Sequence, residues 1–162
     1  MPSAPTPALA ALTAAGVPHE VVKFDHDPRE RSFGDQAVRS LTDTYGIAPE
    51  QIYKTLILAA ADGPAVAILP AQSRLSLKAA AAALGLPRVT MADRANAQRA
   101  TGYMVGAVSP FGQRKALPTV VDADAMRWDR VYCSAGRRGW DVAVAPADLI
   151  RLTGAATARI QA

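Results

Sequence analysis

Ile52-Tyr53-Lys54-Thr55-Leu56-Ile57-Leu58-Ala59-Ala60-Ala61-Asp62-Gly63-Pro64-Ala65-Val66-Ala67-Ile68-Leu69 is the stretch that decides the fold. Tyr53 to Ala60 and Pro64 to Leu69 are apolar runs, and Asp62-Gly63 between them is a dipeptide suited to a tight β-turn. The stretch therefore predicts a hairpin of two strands lying side by side in a sheet. Lys54 is out of keeping with its neighbours. A charge in a buried strand is costly unless it has a partner or faces a cleft, although a lysine at a strand end can also carry its head to water along an apolar stem.

Outward from the hairpin, helix and strand signals alternate. On the amino-terminal side, Thr6 caps a helix with Pro7 at its first position, Leu9 and Leu12 on one face and Gly16 as its stop. His19 to Phe24 reads as a strand closed by His26-Asp27-Pro28. Ser32 with Asp35 resembles a capping box, opening a helix through Ala37, Val38, Leu41 and Tyr45 that ends at Gly46. On the other side, Ser76 opens an alanine-rich helix that Gly85 stops, and Asp93 caps one that ends at Gly102. Strands are expected at Met104 to Val108, Thr119 to Val121, Arg130 to Ser134 and Trp140 to Val144. The last two are joined by Gly136-Arg137-Arg138-Gly139, and a final helix runs from Pro146 to Gly154. Helices interspersed singly with hairpins predict an α/β fold with a central mixed, barrel-like sheet and helices around it.

The 162 residues, half of them hydrophobic, suit one domain over 1–162. No apolar run reaches the roughly 18 residues that a membrane span needs. The start lacks the basic region and cleavage pattern of a secretory signal, so a cytoplasmic location is expected. A single cysteine, Cys133, rules out an internal disulfide and a multi-cysteine metal site. On a predicted strand it reads as a small core hydrophobe rather than a nucleophile. His19 and His26 have no cysteine ligand near them, so no metal is expected. No phosphate-binding or dinucleotide-binding glycine motif occurs, nor Gly-x-Ser-x-Gly, so no cofactor is expected. Chemistry without these groups must come from positioning and electrostatic stabilisation.

The net charge of +4 is unevenly placed: residues 1–73 hold five basic and eight acidic side chains, residues 74–162 thirteen and six. A basic half is what a polyanion-binding surface needs, and a mildly basic globular protein is equally compatible with it. Arg137 and Arg138 suit phosphate oxygens through paired hydrogen bonds, or form a solvated hairpin tip. The run Gly102 to Gly112 lets backbone N–H groups approach a ligand closely and could polarise an ester carbonyl, or could be an ordinary strand-to-turn transition.

Several separated segments together resemble one family. They are His26-Asp27-Pro28 with Phe33-Gly34-Asp35, Tyr53-Lys54-Thr55-Leu56, Met91-Ala92-Asp93, Thr101-Gly102-Tyr103, Gly106 to Gly112 and Ser134 to Gly139. In this order they resemble the YbaK-type Cys-tRNA(Pro)/Cys-tRNA(Cys) deacylases, relatives of the editing domain of bacterial prolyl-tRNA synthetase. The resemblance implies trans-editing of a mischarged aminoacyl-tRNA, with tRNA(Pro) as partner and prolyl-tRNA synthetase as a candidate one. It assigns Lys54, Gly106, Ser109 and Pro110 to the reacting ester and Phe24, Phe33, Thr55, Gly106, Ser134 and Gly136 to substrate binding. Arg137 and Arg138 are then candidates for tRNA phosphates. The implied chemistry is attack by the cysteinyl thiol on its own ester. Phe24 stands where the family often has tyrosine, and Ala135 where it often has glycine. The alternatives are an Ala-tRNA(Pro) deacylase that uses water and a noncatalytic module that binds tRNA or a synthetase.

Overall fold

The computed structural model describes residues 5–25, 29 and 33–162, the side chains of 33 and 34 excepted. The expected loop at His26-Asp27-Pro28, the cap at Ser32 and the side chain of Phe33 lie outside the described part.

The hairpin forms as its sequence predicts. Strand β2 (Tyr53–Ala60) pairs antiparallel with β3 (Gly63–Pro70), from Tyr53 opposite Pro70 to Ala60 opposite Gly63. The turn is one residue earlier than expected, at Ala61 and Asp62, and Gly63 already belongs to β3. The five helices keep their predicted places: α1 (Pro7–Ala14), α2 (Phe33–Tyr45), α3 (Leu77–Leu84), α4 (Arg94–Thr101) and α5 (Pro146–Thr153). Side chains of Thr6, Ser76 and Asp93 accept the N–H groups of Leu9, Ala79 and Asn96, satisfying donors that a helix start leaves open. The remaining strands are β1 (Glu20–Lys23), β4 (Thr90–Met91), β5 (Thr119–Asp122), β6 (Val131–Arg137), β7 (Trp140–Val144) and β8 (Ala156–Ala158).

The mixed α/β architecture is present, but the central sheet is not a closed barrel. Five strands form one sheet in the order β4-β2-β3-β5-β8, with β3, β5 and β8 parallel. The other sheet, β1-β7-β6, is antiparallel throughout. A lone parallel bridge from Ile52 to Tyr132 brings the start of β2 beside β6. Beyond it the strands do not pair, and β6 carries a register shift between Ser134 and Arg137. The barrel is left open on that side.

The strand expected at Met104 to Val108 is a loop. Its backbone groups are used locally: the Val105 N–H donates to Gln98 Oε1 of α4 at 3.1 Å, and the Ala107 N–H to the Met104 carbonyl at 2.9 Å. A segment that turns back on itself has no row of donors to offer a neighbouring strand. Apolar packing fixes the layers around it. Helix α1 and α5 lie against a core that includes Ile57, Ile68, Val121 and Val142, α3 packs on Leu58, Leu69 and Val120, and α2 covers the β1-β7-β6 sheet through Val38 and Leu41. Fully buried side chains such as Leu12, Ile68 and Leu149 each contribute about 1.5–3 kcal/mol.

Candidate active site

The opening between β2 and β6 is a cavity of about 340 Å³. Lys54, Thr55, Gly106 and Ser134 line it, with Met91, Arg94 and Asp141. The Ile52–Tyr132 bridge explains part of this grouping. In a parallel pair the two chains advance together, so Lys54 and Ser134, each two residues beyond the bridge, stay in step.

Lys54 is partly buried, and its Nζ donates to the carbonyl of Ser73 at 2.6 Å. Desolvation pulls its pKa below the ordinary lysine value, while the carboxylate of Asp35 on α2 works against that shift. Thr55 Oγ1 is buried without a hydrogen-bond partner among the described residues. An unmade bond of this kind is costly. Ser134 Oγ accepts from the N–H of Gly136 at 3.1 Å, leaving the hydroxyl proton to donate elsewhere. Asp141, paired with Ser134 across β6 and β7, is buried, and desolvation pushes its pKa up to about 7.

The loop after α4 closes one wall. Gly106 has φ +95°, a conformation that glycine adopts without strain. The N–H groups of Val105 and Ala107 are taken up locally, whereas those of Gly106 and Val108 have no partner among the described residues. Gly106 and Val108 both line the cavity.

Other residues named from the sequence lie elsewhere. Ser109 is fully buried, its hydroxyl accepting from the Phe111 N–H and its carbonyl from Gln113 Nε2, so it builds the loop and does not face the cavity. Pro110 lines a separate depression with Ala11, Lys115 and Leu152. At Gly136 an added Cβ would stand 2.7 Å from a ring carbon of Tyr103, so the glycine makes room for that ring and only its N–H serves Ser134. Phe24 lines an open groove of about 570 Å³ together with Lys23, Arg137, Arg138 and Trp140. In that groove Lys23 Nζ lies 4.2 Å and the Arg137 guanidinium carbon 4.7 Å from the Trp140 ring centre.

Among the described residues no histidine or cysteine lines the cavity, so Ser134 has no triad partner there. Cys133 is fully buried; burial, and secondarily Asp141, holds its thiol pKa well above the ordinary value. His19 Nδ1 bonds the carbonyl of Val17 at 2.8 Å and does not line the cavity. Among the described residues no cluster of three metal-ligating side chains occurs, and no helix is long and apolar enough to cross a membrane.

This arrangement can be compared with known proteins. The family profile described as the aminoacyl-tRNA editing domain matches residues 36–152. The chain belongs to that family. Aminoacyl-tRNA editing domains cleave the ester between an amino acid and tRNA, so the chain is an aminoacyl-tRNA deacylase and its substrate an aminoacyl-tRNA. A curated relative from Enterococcus faecalis, named "Putative Cys-tRNA(Pro)/Cys-tRNA(Cys) deacylase EbsC", is 34% identical over 125 residues, which cover 76% of each chain. A crystal structure described as "a putative trans-editing enzyme for prolyl tRNA synthetase" superimposes with a TM-score of 0.82 at 25% identity, covering 96% of this chain and 95% of the other. A scaffold from work on epitope grafting by computational design shares the fold, with TM-score 0.82 and 24% identity over 96% of this chain and 95% of the other.

Three cavity residues of this editing domain were not singled out from its sequence. Met91 and Arg94 flank the cap of α4, within and beside a motif that carried the resemblance but no assigned role. Asp141 gave the same signal as Lys54, a single charge inside an apolar strand, in Trp140-Asp141-Val142-Ala143-Val144. That signal could have found it.

Proposed function

We propose that the protein deacylates Cys-tRNA(Pro), with the thiol of the bound cysteine as nucleophile. The observation that carries this reading is a cavity with cations, hydroxyls and backbone N–H groups that are unpaired among the described residues, where no described histidine or cysteine stands by to activate or supply a nucleophile. Its small volume suits a short side chain, and the relatives' printed names point to the same substrate class.

In this mechanism the thiol sulfur attacks the ester carbonyl carbon and gives up its proton. The carbon–oxygen ester bond breaks, the terminal ribose hydroxyl leaves with a proton, and the amino acid departs as a cyclic thiolactone. Charge develops on the carbonyl oxygen, where the N–H groups of Gly106 and Val108 stabilise it. Lys54 holds the ester and the terminal nucleotide, Thr55 and Ser134 orient the aminoacyl group, and proximity does much of the rest. Phe33 is assigned to the aminoacyl pocket on the family resemblance alone. Arg94 at the rim, and Arg137 and Arg138 in the groove, meet tRNA phosphates. Prolyl-tRNA synthetase supplies tRNA selectivity as a partner in the cytoplasm.

The test is a deacylation panel of Cys-, Ala- and Ser-charged tRNA(Pro), with the cysteinyl thiol free or alkylated. Rapid cleavage of the free-thiol ester alone is the expected outcome. Equally rapid cleavage of the alkylated or alanyl ester would show water to be the nucleophile. A pull-down with the synthetase, with and without tRNA, tests the partner.

A further inference from the structure

Lys54 is one of two cations that line the cavity, with Arg94, yet its hydrogen-bond partner is not a carboxylate. Its ammonium donates to the carbonyl of Ser73, in the turn that follows β3. A backbone carbonyl can hold an ammonium in one place only if the backbone carrying it is itself held. What fixes residue 73 is a segment almost ninety positions away.

Ser73 Oγ donates to Gln161 Oε1 at 2.7 Å. The amide nitrogen of Gln161 donates in turn to Asp122 Oδ1 at 3.1 Å and to Asp124 Oδ2 at 2.9 Å. Asp122 is 1% exposed, and its carboxylate also accepts the N–H groups of Asp124 and Ile160. The same segment grips the turn through its backbone: Ser76 N–H donates to the Ile160 carbonyl, Ala162 N–H donates to the Arg74 carbonyl, and Leu75 bridges Gln161. The turn is thus clamped at Ser73 and at the three residues that follow it.

The chemistry of the amide gives this chain of bonds a direction. Ionised carboxylates only accept, so the amide nitrogen must face Asp122 and Asp124, and its oxygen is left to take the Ser73 proton. A glutamate at 161 would keep the shape and lose both donated bonds, while setting a third carboxylate beside two others. An amide is the group that satisfies both ends.

We infer that Ser73 and Gln161 are positioning residues for Lys54: the buried Asp122 anchors Gln161, Gln161 holds the Ser73 turn, and the Ser73 carbonyl sets where the ammonium stands in the cavity. The inference about deacylation depends on the catalytic role proposed above for Lys54, whereas the clamp itself does not. The two are separable by experiment.

Limited labelling with an amine-reactive ester, read by mass spectrometry, reports the freedom of the Lys54 amine directly. The other three lysines, Lys23, Lys78 and Lys115, are exposed and serve as internal references in the same sample. In Gln161→Glu and Ser73→Ala, labelling at Lys54 rises about three- to tenfold, the scale of one net hydrogen bond, and the references stay constant. Ser73→Thr, which keeps the hydroxyl, labels as the parent does. With Cys-tRNA(Pro), the first two variants lose about tenfold in kcat at nearly constant KM, because the reacting groups are misplaced and not removed. Unchanged labelling at Lys54 in folded Gln161→Glu and Ser73→Ala overturns the clamp. A rise in labelling with undiminished deacylation supports the clamp and overturns the role assigned to Lys54.

Discussion

The cavity and the groove use positive charge in opposite ways. In the cavity, Lys54 is drawn partly out of water and held on a carbonyl, and the shift in its pKa records the cost of desolvation. In the groove, Lys23 and Arg137 are exposed and lie against Trp140, in one row across β1, β7 and β6. An ammonium with little water around it acts strongly on one nearby atom, whereas exposed cations act weakly, add together and are screened by salt. The first arrangement suits a reacting bond. The second suits a polyanion whose exact position matters less.

The contrast is broken most directly at Lys54. Lys54→Ala is expected to lower kcat/KM for Cys-tRNA(Pro) by about a hundred- to a thousandfold in single-turnover assays, with circular dichroism unchanged. Full activity in that variant would assign the chemistry elsewhere. The next effect is on stability, through the cavity's buried acid. The folded-state pKa of Asp141 is raised from 3.8 to about 7, so the folded protein holds a proton there that the unfolded chain releases. This contribution is present below about pH 4 and is lost as pH rises to about 7. Asp141→Asn, neutral throughout, should therefore flatten the fall of Tm over that window and raise Tm at pH 8 by several degrees. A parallel fall in variant and parent would contradict the burial argument.

Smaller effects are expected in the groove. Trp140→Ala removes the ring that aligns two cations and should raise KM about two- to fivefold with kcat little changed. Arg137→Gln should weaken binding by a similar factor at low salt and reduce the slope of log affinity against log salt by about 1, as loss of one phosphate contact does. A loss in kcat in either variant would mean that the groove takes part in the chemistry.

Legibility from the sequence differed between elements for physical reasons. Thr6, Ser76 and Asp93 marked helix starts correctly because capping is a local bargain between a side chain and an N–H three residues on. The hairpin was readable for the same reason. Met104 to Val108 misled because its residues have strand-like composition while its hydrogen bonds go to Gln98 and to its own turn, which composition does not record. The open side of the barrel could not be read either, since it depends on where β2 and β6 cease to pair across some eighty residues. At the site, Lys54 was conspicuous as a charge in an apolar strand. Gln161 carried no such signal: its significance comes wholly from partners at 73, 122 and 124.

The burial of Cys133 has a practical consequence. Strand alternation points Ser134 into the cavity and Cys133 into the core, where the thiol is fully covered and disfavoured as a thiolate. A thiol-directed reagent therefore has little to react with on the folded protein, since this is the chain's one sulfhydryl. Alkylation can be carried out with enzyme and aminoacyl-tRNA in one vessel, and any arrest of turnover is then read as modification of the substrate.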